Sequence, residues 1–141
     1  IMPVESGKLK VESEKWKDMN EGQKYRKLLI YEKATALVVH VYALIKKFPK
    51  EEQYALCDQL RRAAVSIPSN IAEGVGRVSK KERAHFIEIA YASMLEANCQ
   101  LDIACRLGYI TSEELMEIDA ECKELACMLS GFRASLLETN S

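Results

Sequence analysis

From Tyr25 to Phe48 the apolar residues Ile30, Tyr31, Ala34, Leu37, Val38, Val41, Leu44, Ile45 and Phe48 recur every three or four positions. That spacing lays them on one face of an amphipathic helix. Pro49 is expected to stop the helix, because proline disfavours the helical conformation in its predecessor. A second helix is expected from about Glu51, with Tyr54, Cys57, Leu60, Ala63, Ala64 and Ile67 facing inward. A third starts at Ser79, whose spacing to Glu82 is that of a capping box, and ends at Gly108, where a left-handed residue is wanted. Thr111 and Glu114 repeat the box. The fourth helix then carries Leu115, Ile118, Cys122, Leu125, Leu129, Phe132 and Leu136 at alternating steps of three and four, a heptad seam. Long helices joined by short connections make antiparallel neighbours, so residues 24–141 predict an all-α fold, an antiparallel up-and-down four-helix bundle. Residues 1–23 lack an apolar period and contain Pro3, Gly7 and Gly22, which predicts a mobile or loosely docked extension.

The stretch RRAAVSIPSNIAEGVGR, residues 61–77, sits oddly in such a chain. It lacks the third glycine of G-x-G-x-x-G, has no G-K-[ST] and follows no strand, which excludes a nucleotide-binding loop. The helix start at Ser79 could hold an isolated phosphate beside Arg77, Lys80 and Lys81. The plainer reading is that Gly74 and Gly76 end one helix and Ser79 begins the next. At helical spacing Arg62, Ser66, Ser69, Asn70 and Glu73 form a polar stripe, and Ser93, Glu96 and Gln100 form a second on the third helix. Two such rows on neighbouring helices can satisfy each other and fix register. Arg62, Ser66, Asn70, Glu73, Ser93 and Glu96 are therefore assigned to a structural polar joint. Pro68 removes a backbone donor and is expected to kink the helix there.

Composition adds little until charge is mapped. The 141 residues are 48% hydrophobic and 29% charged, with net charge −1. Residues 24–83 hold 13 Lys/Arg against 6 Asp/Glu, and residues 84–141 hold 3 against 10. A split of +7 and −7 suggests either a polyanion partner or two halves that neutralise each other, within the fold or between subunits. The five cysteines, Cys57, Cys99, Cys105, Cys122 and Cys127, form no C-x-x-C pair and are expected to be reduced and mostly buried. With two histidines in the chain, no metal or cofactor is expected. Every apolar run falls short of the roughly 18–20 residues that span a bilayer, and the N-terminal residues show no signal-peptide core. The chain reads as cytoplasmic, with no membrane partner.

The residues Phe48-Pro49, Glu52-x-Tyr54-x-Leu56, Gln59-Leu60-Arg61-Arg62-Ala63, Ser66-Ile67-Pro68-x-Asn70-Ile71-Ala72-Glu73-Gly74, Arg77, Ala90-x-x-Ser93-x-x-Glu96 and Leu107-Gly108-Tyr109 resemble a known bacterial family. It is the four-helix-bundle family typified by proteins encoded within intervening sequences of large-subunit ribosomal RNA genes. The accessory proteins of diversity-generating retroelements are similar to it more distantly. The resemblance implies a homo-oligomer, a five-membered ring. For the retroelement branch it implies binding to nucleic acid and to a reverse transcriptase. Ala92 departs from the family, which commonly has glycine there, so a close helix contact is expected to be looser.

Catalysis finds little support. Glu82-Arg83-Ala84-His85 is a Glu-x-x-His on a helix, but a di-metal bundle site needs two such motifs and two further glutamates, and His40 has Leu37 three positions before it. No Ser-His-Asp or Cys-His set is available, and no enzymatic activity is expected. Two binding roles compete. In one, Lys46, Lys47, Lys50, Arg61, Arg77, Lys80, Lys81 and Arg83 neutralise the phosphates of RNA or single-stranded DNA. In the other the bundle is a self-assembling scaffold, and those charges meet acidic groups such as Glu113, Glu114 and Glu117 of a neighbouring copy. The resemblance tips the reading toward nucleic acid.

Overall fold

A computed structural model describes residues 21–138 of the chain. Helix α1 spans Glu21–Ile45, α2 Leu56–Val75, α3 Lys80–Arg106 and α4 Ser112–Glu138, with a single 3-10 turn at Lys50–Glu52. Each helix packs on its neighbours in sequence and α4 closes back onto α1. The bundle is therefore up-and-down, with α1 diagonal to α3 and α2 diagonal to α4. The predicted all-α class is what is observed. The extension expected over residues 1–23 falls, up to residue 20, outside the described residues, and α1 already includes Glu21 to Gln23.

The core is the set of apolar stripes read from the pattern. Ile30, Ala34, Leu37 and Val41 of α1 meet Leu60, Ala64, Ile67 and Ile71 of α2, Ile87, Ala90, Ala97 and Leu101 of α3, and the α4 seam from Ile118 to Leu136. Burial removes apolar surface from water, at about 25 cal/mol per Å², and this is what pins the helices. Two cysteines, Cys57 and Cys122, belong to that core. Burial pushes the Cys122 thiol up to about 11, so it stays protonated at neutral pH. Cys99 and Cys127 are exposed and Cys105 is half-buried, all of them free thiols, which corrects the expectation of mostly buried cysteines.

The ends of the helices account for the remaining differences. The segment after Pro49 does not continue as α-helix from Glu51: a 3-10 turn and an Ala55 at φ −118°, ψ −101° delay α2 to Leu56. Tyr54, expected inward, is thrown into solvent at 87% exposure. Its place at the core's edge is taken by Tyr109, whose ring stands 5.3 Å from that of Phe48 and whose hydroxyl donates to Glu52 Oε2 at 2.7 Å. Gly108 does take the left-handed conformation, φ +83°. Its N–H bonds to Cys105 O and that of Tyr109 to Ala104 O, both at 2.9 Å, a Schellman termination of α3. Thr111 and Glu114 close their capping box in both directions, at 3.1 and 2.9 Å. At Ser79 the hydroxyl accepts the Glu82 N–H at 3.0 Å.

Gly74 lies inside α2, and Gly76 has an ordinary helical φ of −77°, so neither ends the helix by left-handed geometry. Gly74 is instead a point of close approach: a Cβ built there would stand 3.1 Å from Phe86 Cβ and 3.5 Å from Arg83 O. Pro68 is buried within an α2 that runs through it as continuous α-helix.

Candidate nucleic-acid interface

The element order separates the sequence-predicted cations into two groups. The α1–α2 and α3–α4 connections share one end of the bundle, as the pairing of Lys47 with Glu114 and of Tyr109 with Glu52 shows. The α2–α3 connection lies at the other end with the start of α1 and the finish of α4, where Gln23 Nε2 donates to Ser135 O at 3.3 Å and Lys27 Nζ stands 5.6 Å from the Phe132 ring centroid. At about 1.5 Å per residue the 20-residue α2 sets the two groups roughly 30 Å apart. Lys46, Lys47, Lys50 and Arg61 occupy the first end; Arg77, Lys80, Lys81 and Arg83 occupy the second. They do not form one patch.

The two ends differ in charge. In the first, residues 43–62 and 102–117 contribute six cations and seven carboxylates. Lys47 is paired with Glu114, whose carboxyl that ammonium and the Thr111 N–H hold below the usual range. Arg61 is half-buried beside a hollow between α1 and α2 that Tyr42, Arg62 and Ser69 also line. In the second end, residues 21–27, 73–83 and 134–138 contribute seven cations and four carboxylates. Lys24 and Arg26, which the sequence reading did not assign, belong here because helix α1 starts three to five residues before them and brings them beside the α2–α3 turn. The only sequence signal for them was the basic run Lys24, Arg26, Lys27.

Not every cation at this end faces solvent, and Lys27 is fully buried. Arg83 is 4% exposed and its Nε donates to Arg77 O at 3.0 Å. It holds the α2–α3 turn, which removes it from the expected binding set. Arg77 is shared: Nη2 donates to Glu73 Oε2 at 2.7 Å while the guanidinium carbon lies 4.7 Å from the Phe86 ring centroid. That stacked geometry fixes the side chain but leaves it partly open. Lys81 and Arg26 are exposed, and Lys80 is partly so.

The expected polar joint resolves into a smaller one. Ser66 Oγ and Ser93 Oγ are 2.8 Å apart across α2 and α3, and Asn70 Nδ2 donates to Ser66 O at 2.8 Å and to Ser66 Oγ at 2.9 Å. Arg62 and Glu73 are exposed and pair within their own helix, with Asp58 and Arg77. Glu96 is exposed too, accepting from Gln100 of the same helix at 3.3 Å. Arg62, Glu73 and Glu96 thus share the helix face of the joint without being covered by the neighbouring helix. Ala92 is exposed on the outer face of α3, so it loosens no contact within the bundle.

Among the described residues no three His, Cys, Asp or Glu side chains gather closely enough to hold a metal ion. His40 Nδ1 lies 2.6 Å from Glu121 Oε2, and His85 stands edge-on to Phe86 with centroids 5.9 Å apart. By length and composition alone, one described helix, Glu21–Ile45, is long and apolar enough to cross a membrane, a test that a core helix also passes. In the bundle that helix gives one face to the core and leaves the other bare.

No curated protein matches the chain. A solved structure described as a protein of unknown function from the S23 ribosomal protein family of Bacteroides thetaiotaomicron superposes with a TM-score of 0.71 at 23% identity, covering 77% of this chain and 98% of that one. At that identity the likeness establishes the fold. A family profile, described as 23S rRNA-intervening sequence protein, matches residues 26–131, from the basic start of α1 to the last turns of α4. The chain belongs to the 23S rRNA-intervening sequence protein family.

Proposed function

We propose that the protein is a non-catalytic homo-oligomer that associates with RNA or single-stranded DNA through the end of the bundle formed by the start of α1 and the α2–α3 turn. The observation that carries this reading is the cluster of Arg26, Lys80 and Lys81 at the surface of that end beside Arg77, in a chain whose net charge is −1; Lys27 and Arg83, the buried cations there, take no part. Arg26, Lys80 and Lys81, with Arg77 held beside them, would neutralise phosphates, and the start of α3 adds the positive end of its dipole. One such end binds weakly. An oligomer that repeats it, five times in a ring as the resemblance implies, gains affinity by avidity without new contacts. The family's description as 23S rRNA-intervening sequence proteins supports RNA as the polyanion and a cytoplasmic setting. A reverse transcriptase partner has the retroelement resemblance as its support.

The competing reading, a scaffold that binds only itself, is favoured by the in-chain pairing of Lys47 and Arg77 and by the burial of Arg83. A binding titration with a single-stranded RNA at two salt concentrations separates the two. Phosphate-driven affinity falls steeply with salt, and Arg26→Ala with Lys80→Ala and Lys81→Ala flattens that slope while the oligomer's mass holds. Absence of binding at low salt, or a triple variant that binds as well as wild type, overturns the nucleic-acid reading.

A further inference from the structure

On the outward face of α2, Asp58, Arg62, Val65 and Ser69 follow one another at steps of three or four, and none of them is buried. Tyr42 of α1 stands beside them, 40% exposed. Together with Arg61 and Ser66 they line a hollow of about 450 Å³. A second hollow, of about 460 Å³, shares Tyr42 and is otherwise lined by Val38, Val39, Ala43 and Lys46 of α1. Each is of a size that takes a small organic ligand. Their linings differ: the first is polar and cationic, the second apolar with one ammonium.

The cations of the two hollows are open to an anion. Among the described residues neither Arg61 nor Lys46 forms an ion pair. Arg62 Nε donates to Asp58 Oδ2 at 3.2 Å, an exposed pair within one helix of the kind that contributes little, and a phosphate competes with it readily. Asp58 is the one carboxylate among the described residues that line either hollow. Over residues 42–62 five cations stand against three carboxylates, and Glu114, which reaches in from α4, is taken by Lys47. The acid that balances this end, Asp102, Glu113 and Glu117, belongs to α3 and α4, whereas both hollows are lined by α1 and α2 alone. Ser66 is turned toward Ser93 and Asn70, which leaves the Ser69 hydroxyl as the polar partner for a ligand.

We propose that the two hollows together bind one nucleotide, its phosphate on Arg61 and Arg62 with Ser69 donating to it, and its base in the apolar hollow against the Tyr42 ring. Guanidinium groups suit phosphate because their fork of donors matches its oxygens. An aromatic face suits a base of any sequence because every base has a π-face. A nucleotide joins a flat ring to an anion, and either half alone would fill one hollow only. The same chemistry is offered by a free nucleoside monophosphate and by one residue of an RNA strand. Taking a nucleotide rather than another aromatic anion rests on the nucleic-acid reading proposed above; the place does not, since none of these residues belongs to the basic end.

Photo-crosslinking at low salt tests it. The whole chain is irradiated with thiouridine monophosphate, or with a single-stranded oligouridylate carrying one thiouridine, and adducts are mapped after trypsin digestion. Trypsin releases Ala34–Lys46, which carries Val38, Val39, Tyr42 and Ala43, apart from every peptide of the basic end. The adduct should fall on Ala34–Lys46. Labelling by the mononucleotide, competed by unlabelled uridine monophosphate, identifies a free nucleotide as the ligand; labelling by the oligonucleotide alone identifies a strand residue. Tyr42→Ala should raise the probe concentration for half-maximal labelling of the peptide about tenfold, the loss of a stacking platform, and Tyr42→Phe should not. Arg61→Ala with Arg62→Ala should raise it by a similar factor and leave any labelling of the basic end unchanged. Arg61→Gln with Arg62→Gln replaces that pair if it melts below wild type. Adducts confined to the basic end, or half-maximal labelling unmoved in the arginine pair, overturn this site and leave the function proposed above standing. No adduct from either probe overturns both.

Discussion

Gly74 of α2 and Phe86 of α3 meet so closely that a Cβ on the glycine would stand 3.1 Å from the Phe86 Cβ. The same Phe86 ring carries the Arg77 guanidinium on its face, so a contact in the scaffold also positions a cation of the basic end. Gly74→Ala must push α2 and α3 apart or twist Phe86, and overpacking of this kind costs about 1–3 kcal/mol. A denaturant melt of Gly74→Ala should show that loss. An unchanged midpoint would mean the helices yield there freely.

The bond between Ser66 and Ser93, with Asn70 donating into it, divides the polar stripe into members that matter for folding and members that do not. Asn70→Ala leaves the Ser66 carbonyl and hydroxyl short of a donor and should lower stability by about 1 kcal/mol. Glu73→Ala removes an exposed pair with Arg77 and should stay within about 0.5 kcal/mol of wild type. Equal losses in both variants would place Glu73 in a contact between copies.

Tyr109 should titrate late for a tyrosine. Its hydrogen bond to the Glu52 carboxylate, with partial burial behind it, holds the phenol neutral and raises its pKa from 10.0 to about 12. The folded state thus keeps the proton that the unfolded chain releases near pH 10. The stabilisation is complete below that pH and is lost as pH rises toward 12. Phenolate absorbance should reveal one late-titrating tyrosine, missing in Tyr109→Phe. A variant whose absorbance curve matches wild type removes the bond as the cause.

Arg83 and Lys81, two residues apart, should behave oppositely. Arg83→Ala deletes a buried donor to the Arg77 carbonyl and should cost about 1–3 kcal/mol. Lys81→Ala should leave the melt unchanged and reduce the salt dependence of RNA binding by about one phosphate contact. The comparison fails if Lys81→Ala destabilises as much as Arg83→Ala.

The helices were legible because burial has a period. Apart from Tyr54, the stripes from Ile30 to Leu136 predicted in the pattern are core stripes in the bundle, and local stop signals such as Gly108 and Thr111 act within a few residues of themselves. The NIAEG segment likewise marked a joint, and Ser66, Asn70 and Ser93 make it. What the pattern could not carry was which members of a polar stripe are covered, because residues three or four apart share a helix face and only the neighbouring helix decides which of them it covers. Arg62, Glu73 and Glu96 went to solvent for that reason.

Charge was countable in the chain, but its arrangement was not. Lys46 and Lys81 fall in one basic segment of sequence, yet antiparallel packing sends them to opposite ends. The same packing recruits Lys24 and Arg26 to the side of Arg77 across some 50 residues of chain. Arg83 looked like its basic neighbours and is buried, since the α2–α3 turn needs a donor under the Arg77 carbonyl. Periodicity along one helix determines what that helix must hide; only the contact between helices decides what remains for a partner to meet, because exposure belongs to the assembled surface and not to any residue alone.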